Sequence, residues 1–434
     1  MPDSLATVLE QTIRAHRPFD VSAPWAEELI FPYYDGLSIR NLAHTVMRLL
    51  DGKPSSAWLG SSPLDGRLWE HLWGQAKRIV LFLSDGLGWR TLNDIIAADP
   101  EAAQIVADLT GSGTLVPITS IAPSTTAAAL PCLWTGAAPA ATGMIGSKVF
   151  LRELGMLVDL LHYKPATGRH RAEVIEEWGF DFNTFVPLQT LGEALTERLI
   201  PSYALLEKSL FGSGLSRIMH RGVQSITRHY GYTDLWITLR DLLRQTRGER
   251  CFVSIYWAAV DSISHLHGTV SEASITEVRR QLGDLRDTLA ADGVADGRTL
   301  FILAADHGHT PVPDHVTIAD HGPLVEALRC APGGEGRFAH FYLRHDYRDQ
   351  AADYIQSCLG ERFACLVPSE ALAGGLFGPE LPYAETAPRL GDLTVIARQG
   401  WTIGDRPRGT MAAISRHGGL SDQEMLVPLL LRPM

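Results

Sequence analysis

The chain has 434 residues, enough for two or three domains or for one large α/β domain carrying an insertion. It is 45% hydrophobic and 20% charged, a globular balance, and its net charge of −11 argues against a protein with an extended nucleic-acid surface, though not against a phosphate-bearing substrate, because bound cations can reverse the local charge. The five cysteines are odd in number and form no CxxC, which points to reduced thiols in a cytoplasmic chain. Charged residues break up the first twenty positions and no apolar run approaches eighteen residues, so neither a signal peptide nor membrane insertion is expected.

In chain order, a short amphipathic stretch leads to a turn at Pro32 to Gly36. Ser38 can then cap a helix with Ile39, Leu42, Val46 and Leu49 at helical spacing, ended by Gly52 and Pro54, and a Ser/Gly loop follows from Ser55 to Pro63. Arg78 to Ser84 is a continuous apolar run of the kind buried on both faces in a parallel sheet, and it ends in Asp85-Gly86. An Asp at the carboxyl end of a buried strand stands where open α/β sheets place ligand groups, although alone it could as well cap the next helix.

A helix is expected near 90–108 and a strand over 114–118. Pro123 cannot continue that strand, and Ser124, Thr125 and Thr126 then place hydroxyls at the start of an alanine-rich helix, where unpaired amides favour an anion. Residues 151–190 read as loops, 203–206 as a short strand and 233–246 as a helix. Cys251 to Tyr256, a helix capped by Ser271, and Thr299 to Ala305 make a βαβ unit. Its strands run into Asp261-Ser262-Ile263-Ser264-His265 and Asp306-His307-Gly308. Short alternating strands between prolines and glycines then suggest a small α+β insertion, after which the core resumes with Asp392 to Ala397 and closes with Leu426 to Leu431, just past His417-Gly418-Gly419. The expected division is an N-terminal helical segment over 1–65 packed on the core, a catalytic α/β domain over 66–310 and 385–434, and a cap over 311–384.

The polar residues just beyond strand-like runs are Asp85, Thr126, Asp261, His265, Asp306, His307 and His417. Three carboxylates, three imidazoles and a hydroxyl, with no cysteine, suit divalent metals of the zinc or manganese type. Asp261 and His265 are four apart, so one helical turn can aim both at a single ion.

The order Asp-Gly, Pro-Ser-Thr-Thr with Thr135-Gly136 nine residues beyond Thr126, Asp-x-x-x-His, Asp-His-Gly and a late His-Gly resembles the alkaline phosphatase superfamily, in its type I phosphodiesterase/nucleotide pyrophosphatase branch. The resemblance implies a doubly wound α/β fold with a mostly parallel sheet, helices on both faces and a small α+β insertion. It also implies two divalent metal ions, zinc or alternatively manganese. Asp85, Asp306, His307 and the Thr126 oxygen would bind one; Asp261, His265 and His417 would bind the other. The implied reaction is metal-dependent hydrolysis of a small phosphodiester or nucleotide-like pyrophosphate, with Thr126 as the nucleophile of a phosphothreonine intermediate. A phosphomonoesterase, phosphonate hydrolase, phosphomutase or metal-bound binding module are the alternatives.

The chain departs from the branch where an Asn commonly follows the nucleophile by three residues: here the position is Ala129. Helix-start amides or Lys148 could take over that phosphate contact, and the apolar run Ala127 to Leu130 offers a monoester dianion no cation, which tilts the reading toward diesters. Thr125 competes with Thr126 for the nucleophile. Asp320-His321-Gly322 repeats the triplet without a preceding strand, so Asp320 is read as a helix cap, and His309 and His267, beside the ligands, are read as partly exposed pocket residues, with support of the ligands through hydrogen bonds as the alternative.

Overall fold

A computed structural model describes residues 4–18, 24–51, 62–405, 407 and 413–434. The helix ends expected at Gly52 and Pro54, and the loop from Ser55 to Ser61, lie outside the described residues.

Seven strands form the central sheet: β1 (Arg78–Ser84), β2 (Thr114–Thr119), β3 (Ser202–Glu207), β4 (Ser225–His229), β5 (Cys251–Trp257), β6 (Thr299–Ala304) and β7 (Leu426–Pro433). Their order is β2-β7-β6-β1-β5-β3-β4. β1 pairs in parallel with β5 and β6, and β3 in parallel with β4 and β5. Only β7 runs against its neighbours β2 and β6. β1, β5 and β6 are buried nearly throughout, as their unbroken apolar runs require of strands covered on both faces. In register, Ser84 lies opposite Trp257 and Leu83 opposite Ala304. The residues that follow these three strands therefore emerge at one edge of the sheet. This is the expected α/β fold with a mostly parallel sheet.

Several expectations need correction. The helix expected near 90–108 is two helices, Trp89–Ala98 and Pro100–Thr110. Asp99 caps the second, and Pro100 has no amide to continue the first. Ser38 does not cap a helix: its hydroxyl donates to Ser120 O, and the helix starts at Asn41. Asp320 ends a 3-10 turn, leaving His321 at the helix cap.

Leu393–Ala397, expected to resume the core, belongs to a second sheet instead. There it pairs antiparallel with Phe338–Phe341 and Phe363–Leu366. The same sheet takes in Lys148–Leu151 and, from the stretch read as loops, Met156–Asp159, joined through Gly333–Glu335. The strands are short, at two to five residues, and only Phe338–Phe341 and Leu393–Ala397 are unbroken buried runs like those of the central sheet's inner strands. A separate apolar core, including Phe341, Ile355 and Val395, lies under this sheet and its helix Arg348–Leu359.

Candidate active site

The carboxyl edge of the central sheet collects the site. Asp85 follows β1, Asp306 and His307 follow β6, and β5 leads into helix α1 (Ala259–His267), which carries Asp261 and His265 one turn apart. Gly86 has φ +77°, and a Cβ there would sit 2.7 Å from Asp261 Cα. The glycine after the first Asp therefore lets the β1 and β5 loops close on each other.

The stretch after β2 turns through a cis Ala122–Pro123 peptide into helix α2 (Thr126–Thr135), all ten residues of which are buried. Ser124 Oγ donates to Gly419 O at 2.7 Å and accepts from Gly418 N at 3.2 Å. The nucleophile loop is thereby stitched to His417-Gly418-Gly419. Thr125 occupies the cap position, yet its hydroxyl makes no cap; it donates to Glu335 Oε1 at 2.8 Å, in the second sheet. The first-turn amides of α2 thus carry no side-chain cap and remain suited to an anion. Thr126 Oγ1 faces the other way, 3.0 Å from His307 Nε2.

His307 Nδ1 lies 3.1 Å from Gly308 O, which turns Nε2 toward Asp85 Oδ1 and Asp306 Oδ2, each 3.5 Å away. Tyr256 donates to Asp85 Oδ2, and the amides of Gly86 and His307 donate to Asp306 Oδ1 at 3.2 and 3.0 Å. The remaining oxygens, Asp85 Oδ1 and Asp306 Oδ2, are buried with no hydrogen-bond partner among the described residues. Burial, reinforced by the charges of Asp306 and Asp261, pushes the Asp85 carboxyl well above the usual range. Two orphaned carboxylate oxygens converging out of water on one imidazole nitrogen are repulsive unless a proton or a cation lies between them.

The second group repeats the pattern. His265 Nδ1 donates to Ser415 O at 2.8 Å and His417 Nδ1 to Ser124 O at 3.2 Å, so both turn a bare Nε2 toward Asp261 Oδ1, at 3.3 and 3.6 Å. Burial first, and then the neighbouring His307, hold His417 well below the ordinary histidine value, so its ring is neutral. Burial likewise lowers His265. Burial alone would raise Asp261, but the hydrogen bond with His309 holds it below the ordinary value. Asp261, His265, His309 and His417 can bring ligand atoms within 4.8 Å of one another, as can Asp85, Asp261 and His307. The residues fit divalent cations in two adjoining groups that share Asp261, with His309 in the group of His265 and His417, and with Asp306 and Thr126 beside His307 in the other.

His309 is not the partly exposed pocket residue expected. It is 1% exposed, and its Nε2 lies 2.8 Å from Asp261 Oδ1. His267 is exposed. His321 bonds Tyr354 in the second domain and joins neither ligand group. Lys148 is exposed and lines a ≈280 Å³ cavity that also touches His265 and His417. Sequence reasoning missed Tyr256, Glu335 and Arg416, the last of which lines that same cavity. Glu335 stands between glycines in Gly333-Gly334-Glu335-Gly336, the one visible sign that backbone packs closely around it.

A family model for type I phosphodiesterase/nucleotide pyrophosphatase matches residues 79–420. Among solved structures, murine ectonucleotide pyrophosphatase/phosphodiesterase 5, as an inactive variant in complex with AMP, superposes with TM-score 0.59 at 15% identity, covering 82% of this chain and 87% of that one. The human protein of the same name gives TM-score 0.61 at 14% identity, with coverage of 82% and 87%. Phosphonoacetate hydrolase from Sinorhizobium meliloti 1021, in complex with phosphonoformate, gives 0.60 at 15%, covering 83% and 90%. At these identities the likeness is one of fold. No curated protein matches the chain in sequence.

Proposed function

The chain belongs to the type I phosphodiesterase/nucleotide pyrophosphatase family, and from that premise we propose that it hydrolyses a phosphodiester or pyrophosphate bond through a phosphothreonine on Thr126. The observation that carries this reading is the divergence of two adjacent hydroxyls. Thr125 is drawn off to Glu335, while Thr126 points into the cluster, 3.0 Å from His307 Nε2.

Asp85, Asp306, His307 and Thr126 would hold one divalent ion, and Asp261, His265 and His417 a second, with zinc the ion best suited to this oxygen and nitrogen set. When bound, such ions supply positive charge that acidifies a hydroxyl and neutralises phosphoryl oxygens. Thr126 Oγ1 forms the new P–O bond as the ester oxygen opposite departs with its electron pair and takes up a proton. Water then cleaves the phosphothreonine, restoring the hydroxyl and releasing the phosphoryl product. The uncapped amides at the start of α2 face the anion in both steps, a role the side chain at Ala129 cannot fill. Tyr256 and the Gly86 and His307 amides hold the two carboxylates so that one oxygen of each stays turned inward.

A second reading, phosphonate hydrolysis on the same residues, draws support from the phosphonoacetate hydrolase fold and from Lys148 and Arg416 beside the histidines, cations that suit a substrate carboxylate. The five thiols are unpaired, which supports the proposed cytoplasmic setting. Rates on bis(4-nitrophenyl) phosphate, 4-nitrophenyl phosphate and phosphonoacetate, measured on zinc- or manganese-loaded protein, separate these readings. The diester is expected to be fastest; a preference for either of the others would displace the phosphodiesterase reading.

A further inference from the structure

The main cavity at the site, ≈620 Å³, does not stop at the ligand cluster. Thr126, Leu130 and Trp134 all line it, at four-residue steps along one face of α2. Eight residues of helix span about 12 Å. Asp85, Leu83 and Leu81 line it from the sheet side, at two-residue steps along β1. Four residues of strand span about 13 Å. Phe82, between them, turns to the opposite face and stacks on Trp236, as strand alternation demands. The two stripes agree in length. The cavity is a slot that starts at the nucleophile and runs back between α2 and the sheet.

Its inner walls are mainly aliphatic, with Trp134 the aromatic side chain among them. Leu205 from β3, and Leu215 and Met219 from the short helix Gly214–Met219, complete them. Two of the polar groups there are spent on backbone: Ser254 Oγ donates to Tyr203 O at 3.3 Å, and His220 Nδ1 donates to Ser216 O at 2.8 Å. Burial also holds the His220 ring below the ordinary histidine value, so it adds no charge; Glu173, which accepts from Gly214 N at 3.3 Å, is the carboxylate along this wall. The apolar character continues outside. Phe211, 46% exposed, lies on the slot's lining loop; Leu266, beside His265 on α1, and Ile414, whose amide bonds His265 O, are 58% and 52% exposed.

We propose that the slot receives an aliphatic chain esterified to the phosphoryl group, so that the substrate is an amphiphilic phosphodiester rather than a nucleotide. This rests on the phosphodiesterase reading for the reaction, but not for the binding. A nucleobase has hydrogen-bonding edges, which aliphatic walls leave unsatisfied. An alkyl chain gains from every methylene buried until the slot is full.

Two measurements on zinc-loaded protein test it. The first is kcat/KM on methyl, butyl, octyl and dodecyl 4-nitrophenyl phosphates below their micellar concentrations. It should rise about two- to fourfold per methylene and then level off. The second is calorimetric binding of methyl-, octyl- and dodecylphosphonate against AMP, which should favour the long chains. Met219→Trp, placed across the slot, should flatten both trends; if that variant does not fold, the wild-type trends decide alone. Chain-length dependence in binding with no hydrolysis of any ester would support the slot and defeat the phosphodiesterase reading. Flat dependence on chain length, or AMP bound more tightly than dodecylphosphonate, would overturn the inference even if the methyl ester is hydrolysed.

Discussion

The hydroxyl of Thr125 donates to Glu335 at 2.8 Å, across the junction between the two sheets, and so is turned away from the cluster that Thr126 enters. Two neighbouring residues of the same chemistry therefore have different work. Thr126→Ala should lower kcat by at least about a thousandfold, since it removes the attacking atom, while Thr126→Ser retains part of the activity. Thr125→Ala should be the milder change. Helix-start capping is worth only about 1 kcal/mol, so all three variants should keep their circular dichroism spectra and melting temperatures within a few degrees of the parent. A Thr125→Ala variant as inactive as Thr126→Ala would contradict this division.

Metal content follows from the orphaned oxygens of Asp85 and Asp306 and the ring nitrogens of His307, His265 and His417. Protein loaded with zinc or manganese should carry two ions per chain by elemental analysis, and a chelator should abolish turnover. Fewer than one ion per chain would refute the ligand assignment.

His309 and His417 should fail differently. His309 holds the Asp261 carboxylate through one hydrogen bond, so His309→Ala should weaken metal binding about 10- to 100-fold, read by competition with a chromogenic chelator. His417→Ala removes a ligand of the second ion and should slow both formation and breakdown of the phosphoenzyme in single-turnover experiments. Wild-type turnover in His417→Ala would reduce His417-Gly418-Gly419 to a turn.

A stability prediction comes from Arg337 and Glu424, both fully buried and joined through two hydrogen bonds at 2.6 and 2.9 Å. Arg337 lies in the second domain; Glu424 precedes β7 and also accepts the Gly419 amide at 2.8 Å. Glu424→Ala would strand a buried guanidinium and should cost about 3–5 kcal/mol. Burial alone would raise the Glu424 carboxyl, but the charge and hydrogen bonds of Arg337 hold it below its ordinary value of 4.5. The folded state therefore favours the ionised form. This stabilisation is complete above the ordinary value and is lost as pH falls through the lower folded one. The gap in Tm between parent and variant should be constant from pH 8 to 6 and should narrow toward pH 3; a gap that does not change with pH would show the pair is not ionic.

What the sequence discloses follows the physics of each part. The central strands are buried on both faces, so their unbroken apolar runs announce them, and the ligands sit at fixed offsets from their ends. Asp261 and His265 could be paired from helical spacing alone. The second sheet was hard to read because its strands are short and join 148–165 to 333–397, so Leu393–Ala397 read as a return to the core. Glu335 and Arg337 come from that sheet, and their partners Thr125 and Glu424 are 210 and 87 residues away, beyond the reach of any local pattern. The burial of His309 is hidden from the sequence for the same reason: it depends on Ser415 and Asp261, both remote in sequence. The slot is intermediate. Thr126, Leu130 and Trp134 share a helical stripe visible in the sequence, but only the sheet opposite shows that the stripe faces a cavity and not packed core.

The covalent role of Thr126 is tested most directly by quenching metal-loaded protein in acid during turnover of a ³²P-labelled diester and mapping the labelled peptide. Label on Thr126, absent in Thr126→Ala, is the predicted result. Label on Thr125, or hydrolysis at the wild-type rate with no labelled protein, would contradict the account.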